Sequence, residues 1–137
     1  MERTLTIIKP DAVSQGKSGA ILAHLEKEGF RLAGLKKLRL SADQAKAFYA
    51  VHKERPFYEG LVAFMTEGPV VVAALERADA VAHLRRVMGA TDSKKAEAGT
   101  IRKLYGTDIE RNAIHGSDSP ENAAKEIAFF FSEGELI

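Results

Sequence analysis

The sequence contains 137 residues, of which 45% are hydrophobic and 28% are charged. These proportions are those of a folded globular chain, and they exclude an intrinsically disordered, collagen-like or membrane-spanning protein. Because 20 basic residues nearly balance 19 acidic ones, no large positive surplus is present to drive binding to a nucleic-acid backbone. Without cysteine, the chain has no disulfide bond and no thiolate metal site. The length predicts a single domain over residues 1–137.

The start of the chain contains one apolar block, residues 5–8, which is too short for the core of a secretory signal. We therefore expect a cytoplasmic protein. The block belongs to a predicted strand over residues 4–9, because it is rich in β-branched residues and is followed by a turn at Pro10. A helix is predicted from Ser18, whose hydroxyl group would cap it, to the residues before Gly29.

The next segment carries signals for a strand and then for two helices. Leucines alternate with basic residues over positions 30–40, which predicts a strand with one solvated face and a bulge at Gly34. Ser41, followed three residues later by a glutamine, forms a capping-box pattern that predicts a helix start. Pro56 ends that helix, and another is expected over residues 57–65.

The second half of the chain opens with a valine-rich run over residues 70–75, which predicts a central strand covered on both faces. A helix is expected over residues 78–88. Residues 89–99 lack an apolar period, as is typical of a functional loop. Ser119, followed by proline and glutamate, predicts the start of the final helix. Its expected buried stripe consists of Ala124, Ile127, Ala128 and Phe131.

This order of elements, with a closing β segment just before the last helix, predicts an α+β fold of the ferredoxin-like, split βαβ type. We expect a four-stranded antiparallel sheet with helices packed on it. A doubly wound parallel sheet would require more alternations of strand and helix than the chain contains.

The segment with the most chemical information spans residues 112–119, Asn-Ala-Ile-His-Gly-Ser-Asp-Ser, directly before the final helix. A helix N-terminus presents free N–H groups and a partial positive charge, which favour phosphate. Histidine is the side chain whose ordinary pKa lies closest to neutrality, so the imidazole of His115 can offer a lone pair and attack phosphorus through one ring nitrogen. Glu126 or a backbone carbonyl could accept the proton of the other nitrogen. The alternative is that the segment only caps the helix and His115 is an incidental loop residue.

Phosphate chemistry also needs cations, and a single guanidinium group can bind two phosphate oxygens at once. Lys9 is a candidate because it closes an otherwise apolar strand, where ligand sites often lie. Phe57 could present its ring at a cleft or belong to the core. His24, His52 and His83 have no partners at metal-ligand spacing, so we expect structural or surface roles for them. The further candidates, each of which could instead be an ordinary surface residue, are Arg85, Arg86, Arg102 and the hydroxyl donor Thr91.

Residues 11–18 contain a second phosphate-like pattern, because they lie between a predicted strand and a predicted helix and end in Gly-Lys-Ser. The position that needs a flexible glycine is Asp11, whose charge would repel phosphate oxygens. The chain also lacks an apolar strand ending in aspartate that would hold magnesium. We therefore expect Lys17 to be a solvated surface charge rather than part of a phosphate-binding loop.

The segment around His115 resembles the signature of nucleoside diphosphate kinases. The resemblance implies transfer of the γ-phosphate from one nucleoside triphosphate, such as ATP or GTP, to another nucleoside diphosphate. The transfer would follow a ping-pong mechanism through a phosphohistidine at Nδ1 of His115, with low base specificity and with Mg²⁺ bound by the nucleotide phosphates. Further segments that are similar to the family, in the family's order, are residues 6–13, 48–50, 55–62, 68–72, 89–91 and 99–102.

The resemblance also implies a role for each matching residue. Tyr49 would lie near the nucleophile, and Ser117 and Glu126 would orient the imidazole. No residue is expected to ligate a metal directly, and Arg86 receives no role. The residues expected to contact phosphates are Lys9, which would also meet the ribose hydroxyl, Arg85, Thr91 and Arg102. The residues expected around the base and the sugar are Phe57, Leu61, Ile109 and Asn112.

The sequence departs from the family pattern after Thr91, where Asp92-Ser93 stands in place of Asn-Pro, and at Ile109, where valine is usual. The resemblance implies a homo-oligomer, either a tetramer or a hexamer built from dimers, with nucleotides as partners and no role for membranes or obligatory nucleic acid. The alternative function is a ferredoxin-like nucleic-acid or ligand-binding module without catalysis. Such modules stack bases on aromatic residues of the sheet, and the predicted strands over residues 4–9 and 70–75 contain none.

Overall fold

The computed structural model describes all of residues 1–137 and contains one antiparallel sheet of four strands. The spatial order is β2-β3-β1-β4, so that β3 lies between the two strands of the first βαβ unit. This order confirms the predicted ferredoxin-like, split βαβ fold. The strands are β1 (Glu2–Ile8), β2 (Arg31–Leu38), β3 (Val70–Arg77) and β4 (Ile114–Gly116).

Seven α-helices connect and cover these strands, and no helix combines the length and the apolar character needed to span a membrane. Three short 3₁₀ turns lie at Ala50–His52, Ser93–Lys95 and Glu133–Glu135. The second of them is the only regular structure within the predicted loop over residues 89–99. The helices are α1 (Pro10–Ser14), α2 (Ser18–Lys27), α3 (Ala42–Phe48), α4 (Tyr58–Met65), α5 (Ala80–Met88), α6 (Ile101–Tyr105) and α7 (Pro120–Phe130).

Helices cover both faces of the sheet, and each face has its own apolar core. Side chains alternate along β3, so that Val71 and Leu75 enter one core while Val72 enters the other. The first core is completed by α2 and α5, and the second by α4 and α7. The predicted central strand covered on both faces is therefore confirmed. No face of the sheet is left open for stacking nucleic-acid bases.

Several local signals produced the structure that they predict. Ser41 caps α3 by accepting a hydrogen bond from the Gln44 N–H, and the Gln44 side chain accepts one from the Ser41 N–H, as in a capping box. The pairing of β2 with β3 shifts register between Leu32 and Gly34, which confirms the predicted bulge. A Cβ atom at Gly34 would approach the ring of Phe131 to 3.0 Å, so a side chain there would require the ring to shift by a few tenths of an ångström.

Three local predictions were wrong. Ser18 is already the first residue of α2, and Lys17 precedes it without a side-chain capping bond, so the Ser18 hydroxyl group does not cap the helix. Residues 10–14 form the short helix α1 rather than a turn, because Pro10 is well placed in the first turn of a helix. The predicted stripe of the final helix was wrong at two of its four positions: Ala124 and Ala128 are exposed, and Ala123 and Phe130 are buried in their place, whereas Ile127 and Phe131 are buried as predicted. Because the helix contains adjacent alanines and adjacent phenylalanines, the sequence alone does not show which of them face the core.

Gly116, the last residue of β4, is expected to tolerate no larger side chain. A methyl group there would lie 2.8 Å from the Met88 sulfur and 2.9 Å from Leu84 Cδ2, both on the buried face of α5. Gly116→Ala should lower the free energy of unfolding by about 1–3 kcal/mol, as is usual for overpacking.

The matched control is Gly19→Ala on α2, where a methyl group would meet no atom within 4 Å. It should leave stability unchanged or raise it by up to about 1 kcal/mol, because alanine favours a helix. Urea denaturation of both variants measures the difference. Equal free energies of unfolding for the two variants would show that β4 and α5 can move apart without loss of stability.

Candidate active site

His115 lies at the middle of the three-residue strand β4, directly opposite Ile7 of β1. Its carbonyl accepts a hydrogen bond from Thr6 Oγ1 at 2.7 Å, which adds to the strand pairing. The imidazole is half-buried and opens into a cleft of about 570 Å³. A rigid strand therefore presents the histidine to a space large enough for a small-molecule ligand.

The orientation of the imidazole is fixed from one side. His115 Nε2 lies 2.8 Å from Glu126 Oε1 on α7, and the same oxygen accepts the hydroxyl proton of Ser117 at 2.8 Å. Ser117 is itself held by the N–H of Leu5, which donates to its Oγ at 3.2 Å. Because a carboxylate only accepts, Nε2 carries the proton and the lone pair of the neutral ring is on Nδ1. Nδ1 makes no hydrogen bond within the chain.

Two arginines share the cleft with His115. Arg102 is only 7% exposed and donates to the carbonyls of Gly89 at 3.1 Å and Ile114 at 2.9 Å. Arg85 is exposed and donates to the Gly116 carbonyl at 3.4 Å. Burial, with a smaller contribution from the charge of Arg85, lowers the pKa of Arg102 to about 10. The cleft thus holds excess positive charge next to the histidine.

The structure separates Arg85 from Arg86, which the residue types alone could not do. The Arg86 side chain points to His83 Nδ1 at 3.3 Å and to Asp79 at 3.8 Å, and it does not line the cleft. His83 also contacts Glu28 at 3.0 Å, in keeping with the structural role expected for it.

Lys9 and Asn112 form a buried pair beside the cleft. Lys9 Nζ donates to Asn112 Oδ1 at 2.8 Å, and the Asn112 amide donates to the carbonyls of Thr91 at 3.0 Å and Ile109 at 3.2 Å. Lys9 is 8% exposed. Burial lowers the pKa of Lys9 to about 8, and the charge of Arg102 adds to the effect. The amide therefore links the strand end at Lys9 to the two loops that follow α5 and α6.

Tyr49 contributes a buried hydroxyl group to the wall of the cleft. This oxygen has no hydrogen-bond partner within the chain. Burial raises the pKa of Tyr49, and the nearby charge of Glu126 raises it further, so the phenol stays protonated and can donate. An unpaired buried hydroxyl group is rare and indicates a place for a ligand atom or a water molecule.

The remaining predicted residues do not line this cleft. Phe57 is 51% exposed and Ile109 is 64% exposed, while Leu61 is partly buried against the second core. Thr91 is exposed in the loop after α5. The structure therefore groups five predicted residues in the cleft, His115, Tyr49, Arg85, Arg102 and Glu126, and does not bring the others to its walls.

Sequence reasoning missed part of the cleft wall. His52, expected to have only a structural or surface role, lines the cleft and packs against the Phe57 ring with centroids 5.3 Å apart. One face of helix α7 also lines the cleft. The residues of that face are three or four positions apart, a helical spacing that is visible in the sequence. The residues of that face, with the one preceding the helix, are Asp118, Asn122, Lys125, Glu126 and Phe129.

The Gly-Lys-Ser pattern of residues 16–18 has no part in this site. Lys17 is exposed and does not line the cleft. Asp11 is buried, and its carboxylate accepts a hydrogen bond from the Ala113 N–H at 3.1 Å. The acidic side chain is thus occupied by the backbone of the segment that precedes His115.

Comparison with known proteins shows the family to which the chain belongs. The sequence model of the nucleoside diphosphate kinase family matches residues 2–136. The nucleoside diphosphate kinase of Acidiphilium cryptum is 59% identical over 136 residues, which cover 99% of this chain and 97% of that protein. The enzyme of Persephonella marina is 53% identical over 137 residues, or 100% of this chain and 98% of the relative.

Solved structures show the same likeness. The crystal structure of the Aquifex aeolicus nucleoside diphosphate kinase superposes with a TM-score of 0.97 at 49% identity and covers 99% of both chains. That of the halophilic nucleoside diphosphate kinase from Halobacterium salinarum in complex with CDP gives a TM-score of 0.95 at 44% identity, over 99% of this chain and 91% of that one. The fold described above is thus that of a nucleotide phosphotransferase. The chain belongs to the nucleoside diphosphate kinase family, and it transfers phosphate between nucleotides.

The lowered pKa of Lys9 predicts a proton uptake when a nucleotide binds. At pH 8.5 Lys9 is mostly neutral in the free protein, because its pKa is about 8. An anion placed beside it favours the charged form and raises this pKa, so binding takes up protons at this pH. The phosphates of the nucleotide do not contribute, since they are already fully ionised there.

Calorimetric titration with ADP at pH 8.5, in two buffers of different ionisation enthalpy, measures the number of protons taken up. Wild type should take up protons at pH 8.5. The contribution of Lys9 should vanish at pH 6.5, because Lys9 is then already charged. Lys9→Arg should show none at pH 8.5, since arginine stays protonated. Equal uptake by wild type and Lys9→Arg would assign the proton to another group.

Proposed function

We propose that His115 carries the phosphoryl group between the two nucleotides, in two half-reactions at one cleft. The observation that carries this proposal is the hydrogen bond of His115 Nε2 to Glu126, which leaves the Nδ1 lone pair unbonded in a cleft that contains Arg85 and Arg102. A nucleophile held by a carboxylate on its other nitrogen is the arrangement that covalent catalysis by histidine requires.

In the first half-reaction, Nδ1 attacks the γ-phosphorus of a nucleoside triphosphate and forms a P–N bond. The bond from that phosphorus to the bridging oxygen breaks, and its electron pair leaves with the nucleoside diphosphate. In the second, a terminal oxygen of another nucleoside diphosphate attacks the phosphorus, and the P–N electrons return to Nδ1. Nε2 keeps its proton throughout, and Glu126 stabilises the positive charge that the phosphorylated ring carries.

The cations of the site stabilise the phosphoryl group during transfer. Arg85, Arg102 and Lys9 supply preorganised donors for charge spread over the three phosphoryl oxygens. The Thr91 hydroxyl group and the unpaired hydroxyl group of Tyr49 add neutral donors. Ser117 acts through Glu126 by fixing the oxygen that holds the imidazole.

Residues outside the cleft wall would hold the nucleoside with little reading of its base. Phe57 is half exposed and offers a ring face. Leu61 and Ile109 would also contact the base, while Asn112 and Lys9 would reach the sugar. Stacking on one ring tolerates purines and pyrimidines alike, because every base has a π-face. Low base specificity follows from this arrangement.

The nucleotide is proposed to enter as its Mg²⁺ complex. The chain contains no cluster of three or more His, Asp or Glu side chains that could ligate a metal ion, so the phosphate oxygens supply its main ligands. Mg²⁺ is commonly bound in this way, through substrate phosphates with most of its water retained. The ion would neutralise charge between the β- and γ-phosphates.

We also propose that the protein acts in the cytoplasm as a homo-oligomer, a tetramer or a hexamer built from dimers. Leu35 on the edge strand β2 is 49% exposed, and Leu104 on α6 is 53% exposed. Contacts between subunits would remove these side chains from water. A nucleic-acid-binding module is not favoured, because helices cover both sheet faces.

His115→Ala should abolish transfer of phosphate while leaving the fold intact, because it removes the only nucleophile of both half-reactions. The measurement is incubation with γ-labelled ATP followed by a denaturing gel. Wild type should carry an acid-labile, base-stable label, and the variant should carry none. Label on His24, His52 or His83 in the variant would refute the assignment.

Arg85→Ala and Arg86→Ala form a matched pair of neighbouring substitutions. Loss of a donor aimed at the transferring phosphoryl group lowers kcat by about 10² to 10³. Arg85→Ala should show this loss, whereas Arg86→Ala should stay within about twofold of wild type, because its side chain pairs with Asp79 outside the cleft. Steady-state transfer from ATP to a second nucleoside diphosphate measures both. Equal losses of kcat in the two variants would contradict the assignment of Arg85, and not Arg86, to the cleft.

A further inference from the structure

The backbone makes a strained turn directly before the proposed nucleophile. Ala113 has φ of +72°, a conformation that residues with a side chain rarely adopt. The Ile114 N–H donates to the Asn112 carbonyl at 2.8 Å, which closes a three-residue γ-turn around Ala113. A γ-turn with positive φ is the rarer and more strained of the two forms. Such strain persists only where neighbouring groups hold it.

The groups that hold this turn come from the segment after β1. The Lys9 N–H donates to the Ala113 carbonyl at 2.8 Å. On the other side, Asp11 Oδ2 accepts the Ala113 N–H at 3.1 Å. The methyl group of Ala113 is fully buried in the first core. Both polar backbone groups of Ala113 are thus satisfied by residues distant in sequence, and Asp11 supplies the only side chain among them.

The Ala113 N–H makes the one hydrogen bond of ordinary geometry to the Asp11 carboxylate. Asp11 is 6% exposed, and its second oxygen, Oδ1, has no partner within the chain. Burial raises the pKa of this carboxyl, while the backbone N–H groups of Ala12 and Ala113 and the charge of Lys9 act in the opposite direction. Burying a carboxylate costs stability, and part of that cost is offset here by the N–H of Ala113, a residue distant in sequence.

We propose that Asp11 is a positioning residue for His115, acting through the γ-turn at Ala113. Asp11 fixes the peptide by which the chain enters β4, and so it sets the direction in which the imidazole meets the phosphoryl group. The inference rests on the proposed role of His115 as nucleophile. Asn112, on the other side of the turn, is anchored separately by Lys9 and by two carbonyls. Loss of Asp11 should therefore affect attack by His115 more than nucleotide binding.

The test is single-turnover phosphorylation of the whole protein by γ-labelled ATP, together with the dissociation constant of ADP. Asp11→Ala should lower the saturating phosphorylation rate by about 10- to 100-fold, the effect expected of a misplaced reacting group. ADP affinity should change by less than about threefold. Asp11→Asn keeps an oxygen acceptor for the Ala113 N–H and should retain at least about a third of the rate.

A double variant tests the turn itself. Glycine adopts positive φ without strain, so Ala113→Gly should restore the rate of Asp11→Ala by at least about fivefold. Ile21→Ala on α2 is the control, because Ile21 is fully buried and its loss destabilises the fold elsewhere. At a temperature where it remains folded, Ile21→Ala should phosphorylate at the wild-type rate.

Four results would overturn the inference. The first is an Asp11→Ala rate within twofold of wild type, and the second is an equal loss in Ile21→Ala. The third is an Asp11→Asn rate as low as that of Asp11→Ala, which would assign the effect to charge. If Asp11→Ala does not fold, recovery of folding in the double variant supports the role of the turn. Failure of the double variant to fold is the fourth result that would overturn the inference. If the wild-type protein carries no label on His115, the proposed nucleophile itself is refuted. This outcome is distinct from the four results above, which concern only Asp11.

Discussion

The site depends on the pairing of β4 with β1. Strand β4 has only three residues, yet it must hold His115 beside a segment more than a hundred positions earlier in the chain. Side chains reinforce the short ladder, because Thr6 binds the His115 carbonyl and Ser117 accepts the Leu5 N–H. The backbone of Lys9 extends the pairing to Ala113. The edge position of β4 leaves one side of the histidine strand free of a neighbouring strand, which is where the cleft opens.

Charge in the free site is unbalanced, and this imbalance would favour the binding of phosphate. Lys9 and Arg102 are buried, and the pKa of each is lowered by burial first and by a neighbouring cation second. The Glu126 carboxylate, which lines the cleft, is already engaged by His115 and Ser117. Bound phosphate oxygens would supply the missing negative charge and would satisfy donors such as Tyr49 Oη. The protein bears this electrostatic strain in the absence of ligand because the same donors act without rearrangement during transfer.

Much of the fold could be predicted from local signals whose physical basis is independent of the rest of the chain. The capping box at Ser41 depends on nearby backbone geometry, and the bulge at Gly34 and the buried strand before Arg77 are marked by the residue types of their own segments. The arrangement of the cleft could not be predicted in this way. Arg85 and Arg86 are adjacent and chemically identical, and only the packing of α5 decides which of them faces His115. Asp11 looked like a repulsive residue in a phosphate loop, because its partner, the Ala113 N–H, is created by tertiary pairing.

Helix α7 shows why the phase of a helix matters for catalysis. Its buried residues, Ala123, Ile127 and Phe130, fix the rotation of the helix against the second face of the sheet. Glu126 lies one turn from both Ala123 and Phe130, so it borders the buried stripe and reaches His115 from its edge. Of the stripe predicted from the sequence, Ile127 and Phe131 are buried, whereas Ala124 and Ala128 are exposed and the core instead receives Ala123 and Phe130. A rotation of α7 by one residue, about 100° in an α-helix, would carry the Glu126 carboxylate away from the imidazole. The apolar packing of α7 thus determines which nitrogen of His115 is protonated, and so links the core to the chemistry.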